Sequence, residues 1–169
     1  NVRTDTGEEL GYCTERYAIV NSRDLVDKAE DAFARKGLGT YKRTIYSTDG
    51  GAKLRVTYDF EDKTIEIPEV GDEMGFRLIL QNSFDRSTRV SFALGFLRLL
   101  CTNGMQTLEK ELDMLKKHSK SLDIDSLLTD SALDKAMARF TDAGAVYGNL
   151  AKLGITQDQG VYALQNQAN

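Results

Sequence analysis

Apolar residues near the start of the chain follow a helical spacing. Between residues 23 and 36 they recur every three or four positions, at Leu25, Val26, Ala29 and Phe33. This spacing is typical of the buried face of an α-helix. Asn21 or Ser22 is a suitable N-cap, and Gly37 stands where glycine often ends a helix. The pattern predicts a helix over residues 23–36.

After residue 40 the apolar period changes to two, which indicates β-strands. Tyr41–Thr48 and Ala52–Phe60 are predicted to form a hairpin, because Asp49-Gly50-Gly51 between them suits a tight turn. The second strand alternates between an apolar face and a polar face that carries Lys53, Arg55, Thr57 and Asp59. Met74–Asn82 and Thr88–Leu94 alternate in the same way, so we expect an antiparallel sheet of four or more strands.

From residue 105 onward the apolar spacing favours helices. The first predicted helix has an apolar face made of Leu108, Leu112 and Leu115. Further helical spacing runs from Leu127 to Phe140 and from Val146 to Leu153, and Thr156 is a suitable cap for a last short helix. The expected fold class is α+β, with an N-terminal helix and a curved antiparallel sheet followed by a helical C-terminal half. Residues 1–104 are predicted to form the sheet domain, and residues 105–169 a helical extension that packs on it or mediates assembly.

The composition favours an ordinary globular domain in a reducing compartment. The 169 residues carry a net charge of −4, with one His and two Cys. Cys13 and Cys101 stand far apart and match no CxxC spacing, so we expect a cytoplasmic location, no metal site and no cofactor. The chain has no run of 18 apolar residues and no signal peptide, so we expect no contact with a membrane.

Charge is distributed unevenly along the chain. Residues 35–55 hold six basic residues and one acidic residue, a net of +5, whereas residues 59–73 have a net of −6 and residues 77–98 a net of +3. Lys53 and Arg55 point to one face of a strand, roughly 7 Å apart, which is close to the phosphate spacing of a nucleic-acid strand. Basic side chains beside aromatic rings suit single-strand binding, because charges follow the backbone and rings stack on bases. The alternative is a solvated strand face that blocks edge pairing.

The predicted nucleic-acid contacts lie on the hairpin and on the connection between later strands. Those expected to bind phosphates are Lys42, Arg43, Lys53 and Arg55. Tyr41 or Tyr46 would stack on a base, and Arg86 or Arg89 would extend the surface. No catalytic residue is predicted, because His118 lies in a polar segment assigned to a helix end and no nucleophile has a base near it in the sequence.

Three segments together resemble a known family. They are Gly7–Tyr12 leading to Tyr17, then Leu80–Asp85, then Leu97–Met105. In this order they resemble the phage/plasmid-like proteins of domain-of-unknown-function family 932, over roughly residues 3–120, with the later helices outside the resemblance. The residues that carry the family motif are Asn82, Ser83, Asp85, Arg98, Cys101 and Asn103.

The resemblance has one departure and several implications. At positions 82–86 the family usually has Asn-Ser-His-Asp-Gly. This chain has Phe84 in place of the histidine and Arg86 in place of the glycine, so no role of that histidine transfers. The resemblance to this family implies a role on the DNA of phages and other mobile elements. The order of helix, hairpin, strands and helix also resembles phage single-strand annealing proteins, which form rings around single-stranded DNA. These resemblances imply a homo-oligomeric, non-enzymatic recombination protein that binds single-stranded DNA.

A second functional class stays open beside DNA binding. The chain has an acidic segment at residues 59–73 and apolar helices predicted after residue 105. Surfaces of these two kinds suit a protein-interaction or assembly module of a phage or mobile element. Two interpretations also stay open for the segment Asp85-Arg86-Ser87. It could form a polar site, or a turn in which the Asp and Ser side chains hydrogen-bond to their own backbone.

Overall fold

A computed structural model describes residues 1–67, 71, 73–99, 106–126 and 129–153. These residues contain two α-helices, α1 (Ser22–Arg35) and α2 (Asp130–Ala151), and a single 3₁₀ turn at Asp49–Gly51. The strands are β1 (Tyr41–Thr48), β2 (Lys53–Glu66), β3 (Glu73–Ser83), β4 (Val90–Leu99) and β5 (Gln106–Lys116). No helix in this part of the chain has the length and apolarity needed to cross a bilayer.

The five strands form one antiparallel sheet in sequence order, β1-β2-β3-β4-β5. Lys53 at the start of β2 pairs with Ser83 at the end of β3, and Val90 at the start of β4 pairs with Lys116 at the end of β5. The turn at residues 49–51, the β3–β4 loop and the segment after β5 therefore share one end of the sheet. We call it the loop end, and it positions the site described below.

The first helix forms where the sequence predicted it. The Asn21 side chain accepts a hydrogen bond of 2.9 Å from the backbone N–H of Arg23, which caps α1. Gly37 follows the helix with a φ of +58°, in the left-handed region that glycine favours. Leu25, Ala29 and Phe33 are buried against the sheet. The predicted helix and its Asn21 cap are thus confirmed.

Both helices pack on the same face of the sheet. Alternate residues of the central strands supply the floor of this core: Val56, Tyr58, Phe60, Phe76, Leu78, Leu80, Phe92, Leu94 and Phe96. Phe140 of α2 lies between two of them, with ring centroids 5.2 Å from Phe76 and 5.5 Å from Phe96. Burial of one such side chain contributes about 1.5–3 kcal/mol. The predicted apolar strand faces are therefore the ones that face the helices.

The helix expected from Leu108, Leu112 and Leu115 was a wrong prediction, because residues 106–116 form β5. The register shifts within this pairing, since Leu94 lies opposite Leu112 and Gly95 opposite Lys110. The extra residue, Glu111, interrupts the strict alternation and leaves apolar positions three and four apart, a spacing that resembles a helix. Backbone pairing with β4 determines the structure here, and Leu115 remains 46% exposed.

The C-terminal half is therefore one strand and one helix in the described residues. The two helices predicted from Leu127 to Leu153 correspond to the single α2, whose start is capped by the Thr129 hydroxyl accepting from the Ala132 N–H at 3.2 Å. The predicted boundary after residue 104 falls between β4 and β5 of one sheet. Leu127, Leu128 and the predicted last helix after Thr156 lie outside the described residues.

Candidate nucleic-acid interface

The predicted hairpin residues divide between the two faces of the sheet. Tyr41 lies opposite the buried Phe60 in the register of β1 and β2, and Arg43 lies opposite Tyr58, so both belong to the face that the helices cover. The alternate positions belong to the other face, which carries Lys42, Tyr46, Lys53 and Arg55. Tyr46 and Arg55 are direct cross-strand partners on that face.

The two candidate stacking tyrosines have different environments. The Tyr41 ring packs edge-on against Tyr58 at 5.3 Å and against Phe33 at 5.9 Å between centroids. Burial raises the pKa of the Tyr41 phenol, as its place in the aromatic core requires. Tyr46 is 55% exposed. Of the two rings, Tyr46 is the one that a base can reach.

Most cations of the basic segment are paired with carboxylates. The pairs are Arg35 with Asp130 at 3.7 Å, Lys36 with Asp134 at 2.5 Å, Arg43 with Glu30 at 2.7 Å, and Lys53 with Asp49 at 2.7 Å. Lys53 also lies 3.7 Å from Asp85. Within the described part of the chain, Lys42 and Arg55 are the basic residues of this segment without an ion pair. The sequence net of +5 therefore overstates the positive potential of the hairpin.

A second group of cations lies at the loop end. We call Arg86, Arg89 and Lys117 the loop cluster. They surround a cavity of about 250 Å³ whose other lining residues are Tyr17, Thr88 and His118. Among the residues that the structure describes, none of those lining the cavity is a carboxylate. Arg86 and Arg89 were predicted to bind nucleic acid. The structure brings these two residues together and separates them from the paired cations of the hairpin.

The sequence analysis did not identify Lys117 and His118 as site residues. They reach the cavity because β5 pairs with β4, which brings Lys116 opposite Val90 directly after the β3–β4 loop. The run Lys116-Lys117-His118 was a visible basic signal. The sequence analysis placed this run at the end of a predicted helix. That placement was wrong, because residues 106–116 form β5.

His118 is held in a defined orientation. Its Nδ1 lies 2.9 Å from the carbonyl oxygen of Ala18, which can only accept, so Nδ1 carries the proton. Its ring stacks on Tyr17 with centroids 4.4 Å apart and planes within 13°. The Tyr17 hydroxyl in turn donates to the Ser83 carbonyl at 2.6 Å. Burial lowers the pKa of His118, so the imidazole is neutral at pH 7.

Two buried polar atoms at this cavity have no hydrogen-bond partner in the described structure. They are Thr88 Oγ1 and His118 Nε2. The backbone of Thr88 is satisfied, because its N–H donates to Ser83 Oγ at 3.1 Å and its carbonyl accepts from the same hydroxyl at 3.0 Å. The Thr88 hydroxyl and the outer imidazole nitrogen of His118 are therefore buried polar atoms whose partner the described structure does not supply.

The family-motif residues support the loop. The Asn82 amide donates to the Val20 carbonyl at 2.9 Å, and Ser83 holds Thr88 as described above. Asp85 Oδ1 accepts from the Ser87 N–H at 2.8 Å, the hydrogen bond of an Asx turn. This favours the turn over a polar site at Asp85-Arg86-Ser87. Arg98 lies opposite Met74 in β4, while Cys101 and Asn103 lie outside the described residues.

Two backbone features fix the same loop. A Cβ added to Gly11 would lie 2.7 Å from Asp85 Cα, so the Gly7–Tyr12 and Leu80–Asp85 segments of the resemblance pack directly against each other. Arg86 has a φ of +72°, in the left-handed region that favours glycine. Arg86 therefore adopts this conformation at an energetic cost.

The described residues hold no group of three or more His, Cys, Asp or Glu side chains placed to bind a metal ion. Among known proteins, the chain matches the family described as "Domain of unknown function (DUF932)" over residues 9–167. Neither the curated proteins nor the solved structures gave a match.

The family match corrects the extent of the resemblance. The residues after 120 were expected to lie outside it, but the match continues to residue 167 and includes α2. The physical reason is that α2 supplies part of the core that covers the sheet. The chain belongs to the DUF932 family, a domain family of unknown function.

Proposed function

We propose that this chain binds single-stranded nucleic acid through the loop cluster, in the DNA metabolism of a phage or other mobile element. One observation carries the proposal. Arg86, Arg89 and Lys117 surround a cavity in which the described lining residues include no carboxylate. Contacts between cations and phosphates supply most of the affinity of a sequence-independent nucleic-acid protein. A local positive site of this kind is compatible with a net charge of −4 for the whole chain.

The polar face of the hairpin is a second contact surface in this proposal. Tyr46 and Arg55 are exposed cross-strand partners, and Lys42 belongs to the same face. An exposed ring beside an unpaired guanidinium suits stacking on a base, which contributes about 1–3 kcal/mol per base. Arg43 and Lys53 contribute less, because each is held by a carboxylate.

The alternative, an interaction or assembly module, has less support in the structure. Leu133, Ala136 and Phe140 of α2 belong to the core of this chain, so they are not free to dock a partner. In the acidic segment, Asp59 pairs with Arg77, and Asp62 accepts a hydrogen bond from the Thr40 hydroxyl at 2.9 Å. A homo-oligomer, which the annealing proteins imply, remains part of the proposal. Light scattering with and without DNA measures it.

Fluorescence anisotropy with a labelled single-stranded oligonucleotide at low salt tests the proposal. The double variant Arg86→Ala with Arg89→Ala should bind at least about tenfold more weakly, since each lost phosphate contact removes part of the dominant electrostatic free energy. The matched control is Arg35→Ala with Lys36→Ala, which removes the same charge from cations already paired with α2. Equal losses in both variants, or no binding by the wild-type chain at micromolar concentration, would overturn the proposal.

A further inference from the structure

We infer that the cavity of the loop cluster is a receptor for the terminal phosphate of a nucleic-acid strand, a phosphate monoester. This inference rests on the proposed function and names the ligand of its central site. Four considerations carry it: the unpartnered polar atoms, the balance of charge, the open position of the site, and the fixed orientation of His118.

The unpartnered atoms indicate that something polar belongs in the cavity. Buried polar atoms in folded proteins almost always have a hydrogen-bond partner, which can be a protein group, a water or a ligand. In the described structure four buried side-chain atoms lack one, and two of them, Thr88 Oγ1 and His118 Nε2, line this cavity. A hydroxyl donor beside an imidazole nitrogen is a suitable pair for phosphate oxygens.

The charge of the lining fits a monoester better than an internal phosphodiester. In the described part of the chain, the three cations of the loop cluster have no carboxylate beside them in the lining. A phosphate monoester carries about −1.5 to −2 charges at pH 7, whereas each internal diester carries about −1. Since Coulomb attraction scales with the product of the charges, the site gains more from the terminal group.

The exposure of the site points the same way. The cavity is open to solvent, so a strand end can reach it from outside. A terminal phosphate projects from the end of a strand with three free oxygens, whereas an internal phosphate has two and continues into the chain on both sides. The cavity of about 250 Å³ has room for a single phosphate group.

The orientation of His118 adds a further distinction between the two ligands. Nδ1 is committed to the Ala18 carbonyl, so Nε2 is the ring atom left for a ligand. In the neutral ring Nε2 accepts, and it can take a hydrogen bond from the P–OH of a monoester monoanion. When protonated, it donates to the dianion. A diester has no P–OH, so it offers only the second of these contacts.

NMR of the one histidine in the chain provides a direct measurement. Three oligonucleotides of one sequence are titrated: with a 5′-phosphate, with a 3′-phosphate and with neither. At least one phosphorylated end should bind about tenfold more tightly, equivalent to about 1.4 kcal/mol, and should shift the His118 resonance and raise its midpoint pH. The strand without a terminal phosphate should leave His118 near its free position.

A variant pair links the effect to the cavity. Thr88→Val keeps the size of the side chain and removes the unpartnered hydroxyl, so it should reduce the preference for the phosphorylated strand. Thr44→Val, the same substitution on β1, should keep the preference. Equal affinity for all three strands with an unmoved His118 resonance would overturn the inference and leave the proposed function standing. If no strand binds, the proposed function fails. A His118 shift with inorganic phosphate alone would then show that the cavity binds free phosphate and not the end of a nucleic-acid strand.

Discussion

The imidazole of His118 stacks on the phenol of Tyr17, joining the segment after β5 to the segment before α1. The planes lie within 13° of each other, and each ring has its own backbone anchor, the Ala18 carbonyl for His118 and the Ser83 carbonyl for Tyr17. The stack forms one wall of the cavity beside the loop cluster. It therefore couples the stability of this corner to the geometry of the proposed site.

The protonation of His118 should make the fold less stable between pH 7 and pH 5. Burial lowers its pKa below the ordinary value of 6.5, and the hydrogen bond to the Ala18 carbonyl offsets only part of this effect. As pH falls through 6.5, the unfolded chain takes up the proton first, so the free energy of unfolding decreases. Urea midpoints measured at pH 7 and pH 5 should differ in the wild type.

The control for this effect is His118→Gln, which should flatten the dependence in that range because the chain has no other histidine. The two carboxylates with a lowered pKa, Asp85 and Asp5, lose their stabilising contributions only as the pH falls below the ordinary carboxyl pKa of 3.8, which is outside this range. An unchanged pH dependence in the variant would show that His118 is not the group responsible.

Arg86→Gly should separate the backbone role of this position from its charge. At a φ of +72° glycine has no steric penalty, whereas Arg86→Ala keeps the strained conformation. We expect the glycine variant to be more stable than the alanine variant by about 1 kcal/mol, and both to bind a single strand more weakly than the wild type. Thermal unfolding and anisotropy give the two quantities. An alanine variant as stable as the glycine variant would argue against strain at Arg86.

Gly11→Ala should destabilise the loop that presents the cluster. The new methyl group would lie 2.7 Å from Asp85 Cα and 2.9 Å from its Cβ, so the β3–β4 loop or the N-terminal segment must move. We expect a loss of about 1–3 kcal/mol in the free energy of unfolding, together with weaker strand binding.

Gly7→Ala is the matched control for this clash. Gly7 also has a positive φ, +72°, but a Cβ added there meets no atom within 4 Å. This variant should show only the conformational cost of about 1–2 kcal/mol and should keep strand affinity within about twofold. Equal binding losses in the two variants would mean that Gly11 does not act through its contact with Asp85.

Phe140→Ala should test whether α2 belongs to the same cooperative unit as the sheet. The ring is 3% exposed and contacts Phe76 and Phe96, so its removal should cost about 3–5 kcal/mol and shift one unfolding transition. Val146→Ala, at a position 54% exposed on the same helix, should change stability by less than about 0.5 kcal/mol. A separate early transition in Phe140→Ala would instead indicate an independent C-terminal unit.

The sequence predicted the elements whose patterns are local. The spacing of Leu25, Ala29 and Phe33 and the Asn21 cap were sufficient for α1, and the two-residue period was sufficient for the first four strands. The period failed at β5, where an extra residue at Glu111 interrupts the alternation. Pairing with β4 is a contact between distant segments, and helical spacing alone cannot reveal it.

The candidate site was predictable only in part, for a related reason. A sum of charges along the chain counts Arg35, Lys36 and Arg43 as free, although each meets a carboxylate supplied by another element. Conversely, Lys117 and His118 join Arg86 and Arg89 only through the pairing of β5 with β4. Both errors arise because electrostatic potential depends on distances in space and not on positions in the sequence.

The most direct test of the loop cluster is the salt dependence of strand binding. For single strands, log Kobs falls with log[salt] by about 0.7 for each phosphate charge that the protein neutralises, so a strand held by the loop cluster and by the exposed Lys42 and Arg55 of the hairpin should give a slope of about −2 or steeper. Arg86→Ala with Arg89→Ala should reduce the magnitude of the slope by about 0.7 or more, while Arg35→Ala with Lys36→Ala should leave it unchanged. A slope that the loop variant does not alter would contradict the claim that these arginines hold the strand.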